Sequence, residues 1–112
     1  MRKMTVKDLV SGAGFKPVSL PDPEREVSGV YVGDLLSWVM GRAGSGNLWI
    51  TIMSSVNVVA VATLSDVCAI LLTEGVMLDE STLSVANQKG VNVISTELSS
   101  YDAAIAVSSL IK

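Results

Sequence analysis

Two short runs, Leu48-Trp49-Ile50-Thr51-Ile52-Met53 and Val67-Cys68-Ala69-Ile70-Leu71-Leu72, constrain this chain more than anything else in it. Each is apolar on both faces of a strand, the pattern of a strand covered on both sides, as in parallel sheets. Two adjacent parallel strands need a crossover between them. Residues 57–65 lie in between and must supply it, although Val56-Asn57-Val58-Val59-Ala60-Val61-Ala62 has strand propensity. A helix is expected there, because Ser54-Ser55 is poor hairpin chemistry while Ser54, Ser55 and Asn57 suit a helix N-terminus.

The rest of the chain falls into step with that unit. Thr5 with Asp8 opens a short helix that Gly12 and Gly14 stop, and residues 15–20 read as extended until Pro21-Asp22-Pro23. Residues 27–32 form a strand that passes through Gly33-Asp34 into a helix carrying Leu35, Leu36, Trp38, Val39 and Met40. Asp79 caps a helix to Lys89, with Leu78 and Leu83 placed as a hydrophobic staple and Gly90 as its stop. Residues 91–94 make the last strand, and Ser99 with Asp102 opens the final helix, whose buried stripe is Tyr101, Ala104, Ile105, Val107 and Ile111. Strand and helix thus alternate, which predicts one α/β domain over residues 1–112, a three-layer α/β/α sandwich with a mostly parallel sheet.

Composition limits the function. Apolar residues make up 49% of the 112 and charged ones 17%, with mean hydropathy +0.51, so apolar surface is left over for self-association or a partner. The net charge of −3 and 4% aromatic content offer nothing to a phosphate backbone, and nucleic acid is not expected as a partner. Residues 43–65 carry no charge and have the length of a membrane span. Gly44, Ser45, Gly46, Asn47, Ser54, Ser55 and Asn57 break them up, so no membrane association is expected. The basic start, Met1-Arg2-Lys3-Met4, lacks the apolar stretch of a signal peptide, which makes the cytoplasm the expected location.

Catalytic chemistry finds few groups. Without histidine, and with Cys68 the one cysteine in an apolar run, the usual nucleophile and base pairs and the usual zinc or haem sites have no residues to draw on. The loop Gly41-Arg42-Ala43-Gly44-Ser45-Gly46-Asn47 is glycine-rich but lacks the Gly-Lys-Ser/Thr ending of a phosphate loop and precedes a strand. Neither a cofactor nor a metal is expected.

Ligands of open parallel sheets sit beyond the carboxyl ends of the strands. Those ends carry Gly33-Asp34, Ser54-Ser55-Asn57, Thr73-Glu74-Gly75 and Thr96-Glu97, with Arg25 and Arg42 read as the basic residues nearby. Capping is the plainer role for Asp34, Ser54, Asn57 and Ser99. Glu74 and Glu97 are weighed as an acidic pair for acid–base work or a hard metal, against the commoner role of solvated carboxylates. Trp38 and Trp49 read as core or interface anchors. The ligand-binding set expected is Arg25, Gly29, Gly33, Asp34, Asn57, Thr73, Glu74 and Gly75.

The stretch Glu24-Arg25-Glu26-Val27-Ser28-Gly29-Val30-Tyr31-Val32-Gly33-Asp34-Leu35-Leu36-Ser37 resembles the namesake region of DRTGG domains. The acidic-Arg-x-Val-x-Gly frame is kept, with Glu24 in place of Asp and a single Gly29 between Ser28 and Val30. Leu72-Thr73-Glu74-Gly75, Asp79-Glu80, Gly90-Val91 and Ser95-Thr96-Glu97-Leu98-Ser99 resemble both DRTGG domains and the N-terminal domain of HPr kinase/phosphatase. The resemblance implies an α/β domain that is usually dimeric and stands alone or is attached to phosphotransacetylases and CBS-regulated pyrophosphatases. It does not imply kinase activity, since the catalytic P-loop of HPr kinase sits in its other domain and this chain has no equivalent. Stand-alone chains similar to this one tend to occur in anaerobic bacteria near iron-hydrogenase and histidine-kinase genes. The expectation is a non-catalytic regulatory module that homodimerises and senses a small, nucleotide-like ligand. The alternatives are a protein-docking scaffold without a ligand and, behind both, a metal-dependent enzyme using Asp34, Glu74 or Glu97.

Overall fold

The computed structural model describes residues 3–111. The chain runs α1 (Val6–Ala13), β1 (Lys16–Ser19), β2 (Gly29–Val32), α2 (Leu36–Arg42), β3 (Asn47–Thr51), α3 (Val56–Ser65), β4 (Ala69–Leu72), α4 (Glu80–Gln88), β5 (Val93–Ser95), α5 (Ser100–Ile111). One five-stranded sheet has the order β1-β5-β4-β3-β2. The four strands from β2 to β5 are parallel, and β1 joins β5 antiparallel with Lys16 opposite Ser95. The expected α/β sandwich with a mostly parallel sheet is the observed fold.

Alternation along the strands builds two cores. Trp49, Ile70, Leu72 and Val93 face one way, onto Val39 of α2, Val58, Val59 and Ala62 of α3, and Ala86 of α4. Their neighbours Leu48, Ile50, Ala69, Leu71 and Ile94 face the other way, onto Val6 and Leu9 of α1 and Ala103 and Val107 of α5. Because strand side chains alternate between faces, a strand apolar at every position is what a sheet covered twice requires. Cys68 is buried in the second cluster, and burial pushes its thiol pKa up to about 12, so it stays a protonated core residue. Among the described residues no helix is long and apolar enough to cross a membrane.

The helix starts divide into those that side chains close and those they do not. Thr5 and Asp8 form a reciprocal capping box, Asp79 accepts the Thr82 N–H at 2.8 Å, and Ser99 accepts the Asp102 N–H at 3.1 Å. Asp34 does not cap α2. Leu35 stands at that N-cap, and the Asp34 carboxylate instead accepts the Thr51 hydroxyl at 2.8 Å and the Ile52 N–H at 3.1 Å, tying the end of β2 to the end of β3. Neither Ser54 nor Asn57 caps α3. Ser55 holds the N-cap position there without a side-chain bond. The Thr51 hydroxyl also accepts the Met53 N–H at 3.1 Å, which turns the chain out of the sheet at Thr51 rather than at residue 53.

Trp49 is fully buried and donates its indole N–H to Gly33 O at 2.8 Å. Trp38 is not a core residue. It is 54% exposed, with the Arg42 guanidinium 3.8 Å over its ring.

Candidate functional site

A residue that precedes a parallel strand lies at the opposite end of the sheet from one that follows it. The eight expected ligand residues are divided accordingly. Gly33, Asp34, Asn57, Thr73, Glu74 and Gly75 follow strands and lie at the carboxyl end, whereas Arg25 and Gly29 lie at the amino end, where Gly29 is paired with Asn47. Arg42 also belongs to the return toward the amino end, in the last turn of α2. The expectation that these arginines serve the carboxyl-end loops is thereby corrected.

At the amino end Arg25 has a structural partner. Its Nη2 donates to Asp66 O at 2.9 Å and lies 3.2 Å from Asp66 Oδ1. Asp66 closes α3 in the left-handed conformation, with φ 58, and its carbonyl also accepts the Gly46 N–H at 2.8 Å. Ser28 donates to Ser45 O at 2.7 Å, and the Asn47 amide reaches the Ser28 hydroxyl at 3.3 Å. Gly46, at φ +80, has no room for a Cβ, which would stand 2.8 Å from Ser28 Oγ. The glycine-rich connector thus uses its groups to hold the loops below β2, β3 and β4 together.

The Ser45 hydroxyl, and then the Arg25 guanidinium, hold the Asp66 carboxyl below the usual carboxylate range against the opposing effect of burial. A depressed folded-state pKa adds stability above the unfolded value, about 4, that is lost as pH falls through the folded value. Asp66→Asn keeps a side chain that tolerates φ > 0. It is expected to cost up to about 1 kcal/mol at pH 7, the ordinary size for an exposed pair, with the difference from wild type shrinking as pH falls below the unfolded value of about 4. Urea unfolding of both proteins at pH 7 and at successively lower pH reads this directly, and a pH-independent difference would refute it.

At the carboxyl end the topology itself selects a place. Crossovers α2, α3 and α4 all lie on one face, and after β5 the chain passes to α5 on the other. The loops after β4 and β5 therefore leave in opposite directions, and the crevice between such loops is where open α/β sheets bind ligands. A groove of about 540 Å³ lies there. Val76, Met77 and Leu78 of the β4–α4 loop, Leu83 of α4, Val18 of β1 and Leu98 after β5 give it apolar walls, and Lys16 and Glu97 are its charged lining residues.

Gly75, one of the lining residues, belongs to a double clip. Glu74 and Gly75 are both left-handed, φ 61 and 73, which points their N–H groups at Leu98 O (2.8 Å) and Thr96 O (3.0 Å). Thr73 and Ser100 hydroxyls meet at 2.7 Å. These groups tie the two diverging loops together instead of facing solvent. Glu97 closes over Gly75, where a Cβ would stand 2.8 Å from Glu97 Oε1. Among the described residues no three Cys, Asp or Glu side chains gather to hold a metal ion.

Of the eight expected residues, Gly75 alone lines this groove. Lys16, Val18, Met77, Leu78 and Leu83 went unnoticed as site residues, since β1 stands beside β5 only in the folded sheet. Asp66, Cys68 and Asp79, whose protonation the fold shifts, all lie outside the lining. The arrangement suits binding more readily than proton transfer.

Comparison with known proteins follows the same lines. The sequence model of the DRTGG domain matches residues 22–110. No curated protein matches the chain. Among solved structures, the fold is similar to the regulatory region of Clostridium perfringens pyrophosphatase, made of CBS and DRTGG domains and complexed with its activator diadenosine tetraphosphate. That match has a TM-score of 0.76 at 14% identity and covers 92% of this chain and 45% of the other. The chain thus spans less than half the length of that relative.

Proposed function

Since this chain belongs to the DRTGG domain family, we propose that it is a non-catalytic, cytoplasmic regulatory module that acts as a homodimer and takes a small, nucleotide-like ligand. The observation that carries this reading is the groove at the β4/β5 switch point, apolar-walled and provided with Lys16 as its one cationic lining residue among the described residues. Such a slot suits a base or another flat apolar body, with Lys16 available to one phosphate. A polyphosphate chain would extend outside it. The similar pyrophosphatase region, complexed with a dinucleotide activator, makes nucleotides the first class to try. A role in anaerobic redox metabolism is part of the same reading, through the resemblance to stand-alone DRTGG chains.

The test is thermal stability of the purified chain with AMP, ADP, ATP, diadenosine polyphosphates, acetyl phosphate, NAD(H) and divalent metals. A ligand at 100 times its Kd adds about 2.7 kcal/mol to the folded state. One nucleotide is expected to raise Tm by several degrees, with the shift lost in Met77→Asp and kept in Asn57→Ala, whose side chain is exposed on α3. Loss in Asn57→Ala instead would move the site to the β2 and β3 loops. No shift with any compound would favour the second reading, a docking scaffold, which the exposed Met40, Leu64 and Tyr101 support.

A further inference from the structure

An open sheet has two edges, each a row of unpaired backbone groups that can template another strand. The two edges of this sheet are built differently. β1 carries Lys16 and Pro17, and its ladder to β5 shifts register between Pro17 and Ser19. Charge, a missing N–H and irregular pairing are the devices that keep an edge from pairing. β2, at the other edge, has none of them. Residues 27–33 include no charged side chain and no proline.

Parity identifies the groups that this edge presents. Gly33 donates its N–H inward to Ile50 O of β3. Tyr31, two residues back, shares that direction, so Val30 and Val32 turn their N–H and C=O groups outward. The register with Leu48 and Ile50 puts the Val30 and Val32 side chains on the α1 and α5 face, where they are 38% and 51% exposed. Ile52, just past the end of β3, is 44% exposed, and Leu35 and Trp38 beyond β2 are more than half exposed.

We infer that β2 pairs antiparallel with β2 of a second copy of this chain, about a two-fold axis at Tyr31, joining the two sheets into one. This rests on the dimeric reading above and names its surface. Val30 of each copy lies opposite Val32 of the other and exchanges both backbone hydrogen bonds with it, so every outward group of the strand is matched. An axis at Val30 would need the Ser28 N–H, which is already bonded to Gly46 O at 2.9 Å. An axis at Val32 would draw in Asp34, which is held by Thr51 and Ile52.

Charge explains why the occupant is a copy rather than another protein. Across a two-fold axis each group near the axis faces its own duplicate, and like charges directly opposite are destabilising. A strand kept free of charge from residue 27 to residue 33 suits that constraint, which a heterologous partner would not impose. The half-exposed Val30, Val32, Ile52, Leu35 and Trp38 provide an apolar border toward the roughly 800 Å² per partner that a stable interface uses. The protected β1 edges then prevent growth beyond two copies.

Sedimentation equilibrium on the full chain, together with one lysine variant and one cysteine variant, decides the matter. Wild type is expected to be a dimer, and Val30→Lys/Val32→Lys a monomer with unchanged far-UV circular dichroism, because both side chains are already exposed. Directly opposite residues of a non-hydrogen-bonded pair have Cα atoms about 4.5 Å apart, within disulfide reach. Tyr31→Cys is therefore expected to form a disulfide-linked dimer on mild oxidation, while Cys68 remains buried. A dimer that survives the lysine pair would overturn this surface and leave the dimeric reading standing. A monomeric wild type would overturn both. Monomeric lysine variants without a Tyr31→Cys cross-link would overturn the axis at Tyr31.

Discussion

Trp49→Ala is expected to destabilise the domain by about 3–5 kcal/mol, the usual cost of truncating a fully buried aromatic side chain. Trp49 is wholly enclosed among α2, α3 and the sheet, in the same cluster as Val39, Val58 and Ile70. Its loss removes a large apolar area and leaves a cavity that neighbours on β3 and β4 can fill only by moving. It also releases Gly33 O, which the indole N–H holds at 2.8 Å, and with it the turn from β2 into α2. Against a total stability of about 5–15 kcal/mol this is a large fraction, and a Tm fall of roughly 15 °C or more is expected. Trp49→Phe keeps most of the volume and removes the donor, so about 1–2 kcal/mol is expected from it. Urea unfolding measures both. A Trp49→Ala cost under 1 kcal/mol would contradict the packing described.

Asn92→Leu is expected to cost about 2–4 kcal/mol despite being nearly isosteric and more apolar. Asn92 is 2% exposed and bonded on both sides of its amide. Its nitrogen donates to Asp22 O at 2.7 Å and Cys68 O at 2.9 Å, and its oxygen accepts the Asp22 N–H at 2.9 Å. Leucine leaves the Cys68 carbonyl buried without this donor, whereas the exposed Asp22 regains water. The loop before β2 then loses its anchor to the entry of β5. Asn92→Asp is a sharper test. A buried carboxylate would face two carbonyl oxygens, so its folded-state pKa must rise above the unfolded value. Its stability is then greatest below the unfolded pKa and declines as pH rises through the folded one. The deficit relative to wild type is expected to be larger at pH 7 than at pH 4, by chemical denaturation at each pH. Equal deficits at both would show that the side chain does not face those carbonyls.

Helix α3 shows why most of the fold was legible. Val58, Val59 and Val61 favour strands locally, yet the runs on either side are doubly buried parallel strands, and parallel neighbours need a crossover. A topological requirement overrode a propensity worth tenths of a kcal/mol per residue. The capping box at Thr5 and Asp8 and the cap at Asp79 were legible for the opposite reason, being wholly local. The separation of Arg25 from Glu74 was also readable, since one precedes a strand and the other follows one.

What sequence order and residue chemistry determined by themselves was the element order, the mostly parallel sheet, the doubly buried faces of β3 and β4 and the poverty of catalytic groups, because periodicity and spacing express these within a few residues. The stripe expected on α5 was not among them, since Ala103 and Val107 are buried there while Tyr101, Ile105 and Ile111 are exposed. Only the tertiary structure decided that β1 lies antiparallel beside β5, that Asp34 reaches across to Thr51, that Glu74 and Gly75 clip the β5 loop, and that β2 is the unprotected edge. Each of these depends on which distant segment is brought alongside, and a hydrogen bond between segments tens of residues apart leaves no period in the chain.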